Sequence, residues 1–243
     1  MHQSLNRAAR ALAIICLTCL VVACSTFPTQ EFNKSANADL HAIALAPVGM
    51  PQKPSVIILN AVGNNFGLIG GIVEATRAAN AANELTGELQ IGNLDYRTYL
   101  PVHIANALRS EGFEVITADG ARPESEDSKF LSRPPLPNGT DATLDVYVTY
   151  IGYLAAGATT VYRPAVHIEA RLVDKKTQKV LFADQIFYNN YSPGAAKQAI
   201  SIEPESRATF QDRAAMLAAP QEVTRGLAAG LDAVALELAR QLK

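Results

Sequence analysis

The 243-residue chain has no tryptophan and only three cysteines. Cys16, Cys19 and Cys24 all fall near the start, so nothing beyond them can form a disulfide and the fold must rest on its apolar core. Charged residues make up only 18%, with a formal net charge of −2. No block of lysine and arginine is present to bind nucleic acid or anionic lipid through charge. The longest apolar run, Ala11 to Val22, is about 12 residues, against the roughly 20 that a membrane-spanning helix needs. Nucleophile-elbow, H-E-x-x-H and calcium-loop motifs are missing, which removes the enzyme and metal classes they mark. His41, His103 and His167 lie too far apart in sequence, and in contexts too different, to propose a metal site, and no cofactor motif is present.

What the chain does have begins at its N-terminus. Arg7 and Arg10 precede the apolar run, which ends in Leu20-Val21-Val22-Ala23-Cys24. A short basic start, an apolar stretch and a small residue at the boundary describe a secretory signal over residues 1–23. The C-x-x-C of Cys16 and Cys19 lies inside that stretch and has no redox context.

Cys24, directly after small residues, resembles the lipobox of bacterial lipoproteins. That resemblance implies cleavage between Ala23 and Cys24 by signal peptidase II, a diacylglyceryl thioether on the Cys24 sulfur and an acylated new N-terminus. Covalent lipid is thus the only non-protein group expected, and a membrane the first partner. Several acyl chains anchor stably where one is marginal. Ser25 stands where an aspartate would favour inner-membrane retention in that class, so the resemblance implies the outer membrane, facing the periplasm.

Residues 24–40 are polar and without period, and are expected to form a lipidated tether of up to about 50 Å. Residues 41–243 suit one α/β domain. His41 to Val48 and Val56 to Leu59 are short apolar strands, and Phe113 to Thr117 is another. A helix is predicted from a Thr98 cap to Glu111, with Pro101 in its first turn and Gly112 as its stop. Residues 119–143 are polar and proline-rich, an unusually long loop.

Leu144 to Ile151, Val161 to Val173 and Lys179 to Tyr188 read as successive strands, the last two joined at Asp174-Lys-Lys-Thr-Gln178. Leu144, Val146, Val148 and Tyr150 share one face. Val166, Ile168, Ala170 and Leu172 share another, while Arg163, His167, Glu169 and Arg171 point away. The pattern predicts a mixed, largely antiparallel sheet with helices on its apolar face and solvent on its polar one. Helices are expected over 205–218 and from Pro220 to Leu242, the latter with Val223, Leu227, Leu231, Val234 and Leu238 in one stripe.

Two features invite functional readings. Gly63, Phe66, Gly67 and Gly71 lie in a glycine-rich segment that follows a strand and precedes an alanine-rich helical stretch. The spacing is not that of a phosphate-binding loop, and no Lys-Ser/Thr follows. Glycines four apart can instead form a close-packed helix seam at a subunit or membrane contact, or the segment is a flexible turn. Tyr147, Tyr150, Tyr153 and Tyr162 cluster in sequence and can either form a recognition surface or fill a core edge.

Four stretches together resemble a group of envelope proteins. They are Ile-Ala-Leu-Ala-Pro-Val48, the helix end Leu108-Arg-Ser-Glu-Gly-Phe-Glu-Val115, Asp145-Val-Tyr-Val-Thr-Tyr150 and the hairpin Ala170 to Leu181. Over about residues 41–190 this is similar to the periplasmic domain of penicillin-binding-protein activator lipoproteins, the curli secretion lipoprotein and the N-terminal domain of the Tol–Pal β-propeller protein. The resemblance implies non-catalytic binding of an envelope protein in assembly or secretion. An oligomeric secretion or transport component using Gly63–Gly71 is the alternative, and a periplasmic hydrolase the third reading. The chain lacks two long membrane-type hairpins, which argues against a pore.

Overall fold

A computed structural model describes residues 27–59, 80–118, 120, 122, 129–157, 159–189 and 199–243. The signal segment, Cys24 and the glycines at 63–71 lie outside these residues.

The expected α/β class is observed: a seven-stranded mixed sheet with helices against it. β1 (Ala42–Leu45), β2 (Ser55–Ile58) and β3 (Glu114–Thr117) are short. β4 (Ala142–Ala155), β5 (Arg163–Asp174) and β6 (Val180–Tyr188) are long and antiparallel in succession. β7 (Ile200–Ile202), which no sequence pattern announced, pairs parallel to β6. The order is β3-β1-β4-β5-β6-β7, and β2 also lies against β4. β4 is long enough to pair with β1 at Ala142 to Leu144 and with β2 further along, at Gly152 to Ala155. Gly152 permits the second pairing, because a Cβ there would lie 1.7 Å from the Ser55 carbonyl oxygen, and its φ is +150°.

One face of the sheet is the expected apolar one. Leu144, Val146 and Val148 of β4, Val166, Ile168 and Leu172 of β5, and Phe182 and Ile186 of β6 are all at most 1% exposed. A register shift between Val148 and Tyr150 changes the alternation. Tyr150 therefore pairs with His167, and Ile151 takes the core position opposite Val166. Tyr150 does not share the face of Leu144, Val146 and Val148, because a bulge inserts one residue and reverses every side chain beyond it.

Four α-helices lie in the described residues: α1 (80–91), α2 (Tyr96–Ser110), α3 (Arg213–Leu217) and α4 (Pro220–Gln241). α2 starts earlier than predicted. Asp95, not Thr98, is its cap and accepts from the Arg97 nitrogen, which places Pro101 inside the helix. The expected helix over 205–218 is reduced to α3, capped by Asp212. α4 begins at Pro220 as predicted, and its stripe of Val223, Leu227, Leu231, Val234 and Leu238 is fully buried. α2 and α4 run side by side in the same direction, since Tyr99 meets Asp232 and, further along, Glu111 meets Lys243.

The opposite face departs from expectation. His167, Glu169 and Gln185 are at most 6% exposed, and Asp145 is wholly buried. The covering material is the proline-rich segment 129–140 together with residues near the N-terminus. Segment 129–140 cannot extend the sheet as a strand, because proline lacks the N–H that a ladder requires. Its carbonyls instead accept from side chains of β4 and of the β5–β6 turn: Thr143 Oγ1 reaches the Pro135 oxygen at 2.6 Å and Lys175 Nζ the Pro137 oxygen at 2.7 Å. The stretch expected as a free tether is docked too. Gln30 forms an antiparallel bridge with Ala183, at 2.7 and 2.9 Å, and Phe32 packs against the core.

Candidate functional site

Asp145, projecting from β4 under the covering segment, organises the buried polar face. Its Oδ1 accepts from Arg122 Nη1 at 2.8 Å, and its Oδ2 accepts from the Leu131 main-chain nitrogen at 2.8 Å, with Arg171 Nη2 at 3.4 Å. Arg122 also donates to the Pro47 carbonyl at 3.0 Å and to the Lys129 carbonyl. Arg171 donates to the Leu131 carbonyl and lies over the Phe130 ring, 4.6 Å from its centre. One carboxylate thus ties two arginines and the covering backbone to the sheet. Two positive neighbours and an N–H donor offset the loss of water around a buried charge.

Glu169 of β5 repeats the arrangement on a smaller scale. Its Oε1 meets Lys129 Nζ at 2.6 Å and Gln185 Nε2 at 3.1 Å. It is buried, whereas a solvated side chain was expected. His167 is corrected in the same way. Its Nδ1 lies 2.6 Å from Thr149 Oγ1, its ring meets Phe187 edge-on, and its Nε2 is buried without a partner. Burial first, and then the Lys129 charge, push its pKa down to about 4, so the ring is neutral at pH 7.

A second polar group lies on the helix layer. His103 Nδ1 is 2.6 Å from Asp232 Oδ1, Tyr99 donates to Asp232 Oδ2 at 3.2 Å, and the Tyr99 and His103 rings stack at 3.8 Å. Burial and the adjacent Asp232 raise the Tyr99 pKa to about 12, which keeps the phenol protonated and donating. Val102 and Leu236 on the same two helices are exposed, at 55% and 41%.

The four tyrosines do not form one surface. Tyr153 is fully buried on the core face, with its hydroxyl donating to the Val223 carbonyl at 3.1 Å. Tyr162 packs against the same core and bridges to Phe210. Tyr147 lies opposite Glu169 on the other face, between Gly49 and Arg122. Tyr150 is held within 3.1 Å of the Ser55 carbonyl and 2.9 Å of its neighbour Tyr153's. Gly63, Phe66, Gly67 and Gly71 lie outside the described residues, as do Ala23 and Cys24. Among the described residues, no cluster of three or more His, Cys, Asp and Glu is placed to hold a metal. No described helix is long and apolar enough to cross a membrane.

No protein-family model matches the chain, and no curated protein matches it in sequence. Solved structures show a distant likeness. The XCC0632 protein of Xanthomonas campestris, of family DUF330, is 12% identical over 88% of this chain and 86% of its own, with a TM-score of 0.42. The dodecameric PelC of Paraburkholderia phytofirmans is 11% identical over 86% of this chain and 91% of its own, at 0.30. Lipoprotein GNA1162 of Neisseria meningitidis is 16% identical over 62% and 81%, at 0.29. At these scores none of the three assigns a function here.

Proposed function

We propose that the chain is an outer-membrane lipoprotein, anchored through Cys24, whose periplasmic domain acts by binding another envelope protein in assembly or secretion rather than by catalysis. The observation that carries this reading is the commitment of its ionisable groups. Asp145 holds two arginines and a backbone N–H, Glu169 holds Lys129 and Gln185, and His167 is neutral and buried. Asp145 and Glu169 are spent on fastening a cover to the sheet, His167 is packed between neighbouring strands, and all three side chains are buried away from solvent.

Among the described residues, the helix layer offers a surface for contact: Val102 and Leu236 are exposed on the same two helices that carry Tyr99, His103 and Asp232. Apolar and aromatic side chains mixed with polar ones suit a protein-binding patch. A photo-crosslinking residue at Val102, in cells, should capture a discrete envelope protein, while one at exposed Gln178 on the β5–β6 turn should not. Equal and diffuse labelling from both positions overturns the binding reading.

Anchoring is tested separately. Cys24→Ser removes the sulfur that carries the lipid, so the protein should leave the outer-membrane fraction at high salt. If it still floats with outer membrane, the lipoprotein reading is wrong.

A further inference from the structure

The first described residues are docked on the domain. Gln30 is tied to β6 by two main-chain hydrogen bonds with Ala183 and by its Nε2 donating to the Val180 carbonyl at 2.7 Å. Phe27 reaches the covering segment, where its ring lies 5.8 Å from that of Phe130, which in turn stacks on Arg171. Phe32 fastens the following turn to the core.

Only two residues, Ser25 and Thr26, lie between Cys24 and Phe27. The three chain steps span at most about 11 Å, not the roughly 50 Å available to a free tether ending at residue 40. A lipid carried by Cys24 would be held within that reach of Phe27, whose ring lies beside Phe130.

We propose that the sheet face covered by residues 129–133, centred on Phe27 and Phe130, rests against the bilayer that carries the Cys24 lipid. The inference depends on the lipid-anchor reading above. It follows that the helix layer, on the far side of the sheet, faces away from the membrane. Aromatic rings suit the polar–apolar boundary of a bilayer. The contact need not be strong, because the anchor raises the local concentration of bilayer around it.

The absence of tryptophan makes a direct test clean. Full-length lipidated protein carrying Phe130→Trp, Arg133→Trp or Val102→Trp is placed in vesicles of phosphatidylethanolamine and phosphatidylglycerol with lipids brominated near the headgroup. Emission from Phe130→Trp and Arg133→Trp should fall at least twofold, and Val102→Trp should stay unquenched. Arg133→Trp serves if Phe130→Trp perturbs the fold by circular dichroism. Adding Gln30→Pro, which removes the N–H that bonds to Ala183, should relieve at least half of that quenching while the protein still floats with vesicles.

If the protein floats, its N-terminal peptide carries acyl mass and neither Phe130→Trp nor Arg133→Trp is quenched, the domain hangs free and the inference is overturned while the anchor stands. Stronger quenching of Val102→Trp overturns it as well, by inverting the orientation. A peptide without acyl chains overturns both this inference and the anchor.

Discussion

Asp145 and Arg122 meet at 2.8 Å beneath the covering segment, the carboxylate wholly buried and the guanidinium nearly so. The contact joins a strand to a residue about twenty positions earlier in the chain. It also explains why a proline-rich stretch lies flat on a sheet face otherwise open to water. Removing one partner leaves the other charge buried. Asp145→Ala should destabilise the fold by about 3–5 kcal/mol in a urea titration. Asp145→Asn keeps acceptor capacity for the Leu131 nitrogen and should cost less. A loss below about 1 kcal/mol for Asp145→Ala would mean that the cover contributes little to stability.

Neighbouring positions on β5 make the second case. Ile168→Ala truncates a fully buried core side chain and should cost about 2–5 kcal/mol. On a solvated face Glu169→Ala would cost under about 1 kcal/mol. Glu169 is only 4% exposed and pairs with Lys129 and Gln185, so its removal strands a buried amide. A cost of about 1–3 kcal/mol is expected. Half of Lys129 remains in water, which keeps the ion-pair share of that figure small. Denaturant titrations of both variants decide the matter, and a negligible loss for Glu169→Ala restores the solvated reading.

The two faces of β5 show what the sequence could and could not reveal. The alternation of Val166, Ile168, Ala170 and Leu172 reported the core side correctly, because burial against helices demands apolar side chains in a period of two. The stripe on α4 was legible for the same reason at a period near 3.6. His167, Glu169 and Arg171 looked solvated because a buried ion network and an exposed polar face have the same residue types. What distinguishes them is partners brought from distant loops, here Arg122 and Lys129, and no local period encodes that. The bulge after Val148 was equally invisible, and it moved Tyr150 away from the face its spacing indicated. β7 is three residues long, too short for any pattern. The docking of Gln30 depends on an unpaired stretch of the β6 edge, which residues 24–40 do not disclose.

His167 gives the fold a pH dependence with a definite sign. Burial lowers its pKa from 6.5 to about 4. Between those values the unfolded chain takes up a proton that the folded chain refuses, so stability falls as the pH drops through that window. At pH 5 the loss relative to pH 7 should be on the order of 2 kcal/mol. Asp141 and Asp174 have lowered pKa values, Asp141 through the Ala42 and His41 nitrogens and Asp174 through Thr177, so their contributions are lost only in more acid solution. His167→Asn cannot take up the proton, and comparing it with the parent isolates the effect. Urea midpoints at pH 7 and pH 5 should differ more for the parent than for His167→Asn. Equal shifts would show that His167 is protonated in the folded state.

α4 carries a close approach that its helical period did not announce. Gly226 and Gly230 lie four apart on the face turned to the sheet. A Cβ at Gly226 would stand 2.5 Å from the Ala208 Cβ and 2.5 Å from the Tyr153 hydroxyl, and one at Gly230 would stand 2.8 Å from the Tyr188 ring. The Tyr153 hydroxyl is itself fixed by donating to the Val223 carbonyl. In an exposed helix, glycine to alanine gains roughly 1 kcal/mol from backbone preference. At Gly226 the added methyl must push α4 off the sheet or break the Tyr153 bond, and overpacking of that kind costs about 1–3 kcal/mol. Gly226→Ala should therefore lower the melting temperature despite the better helix former. Gly87 of α1 is the control, since a Cβ there meets nothing within 4 Å. Gly87→Ala should raise the melting temperature or leave it unchanged. If both variants are stabilised, α4 sits further from the sheet than the Tyr153 contact requires.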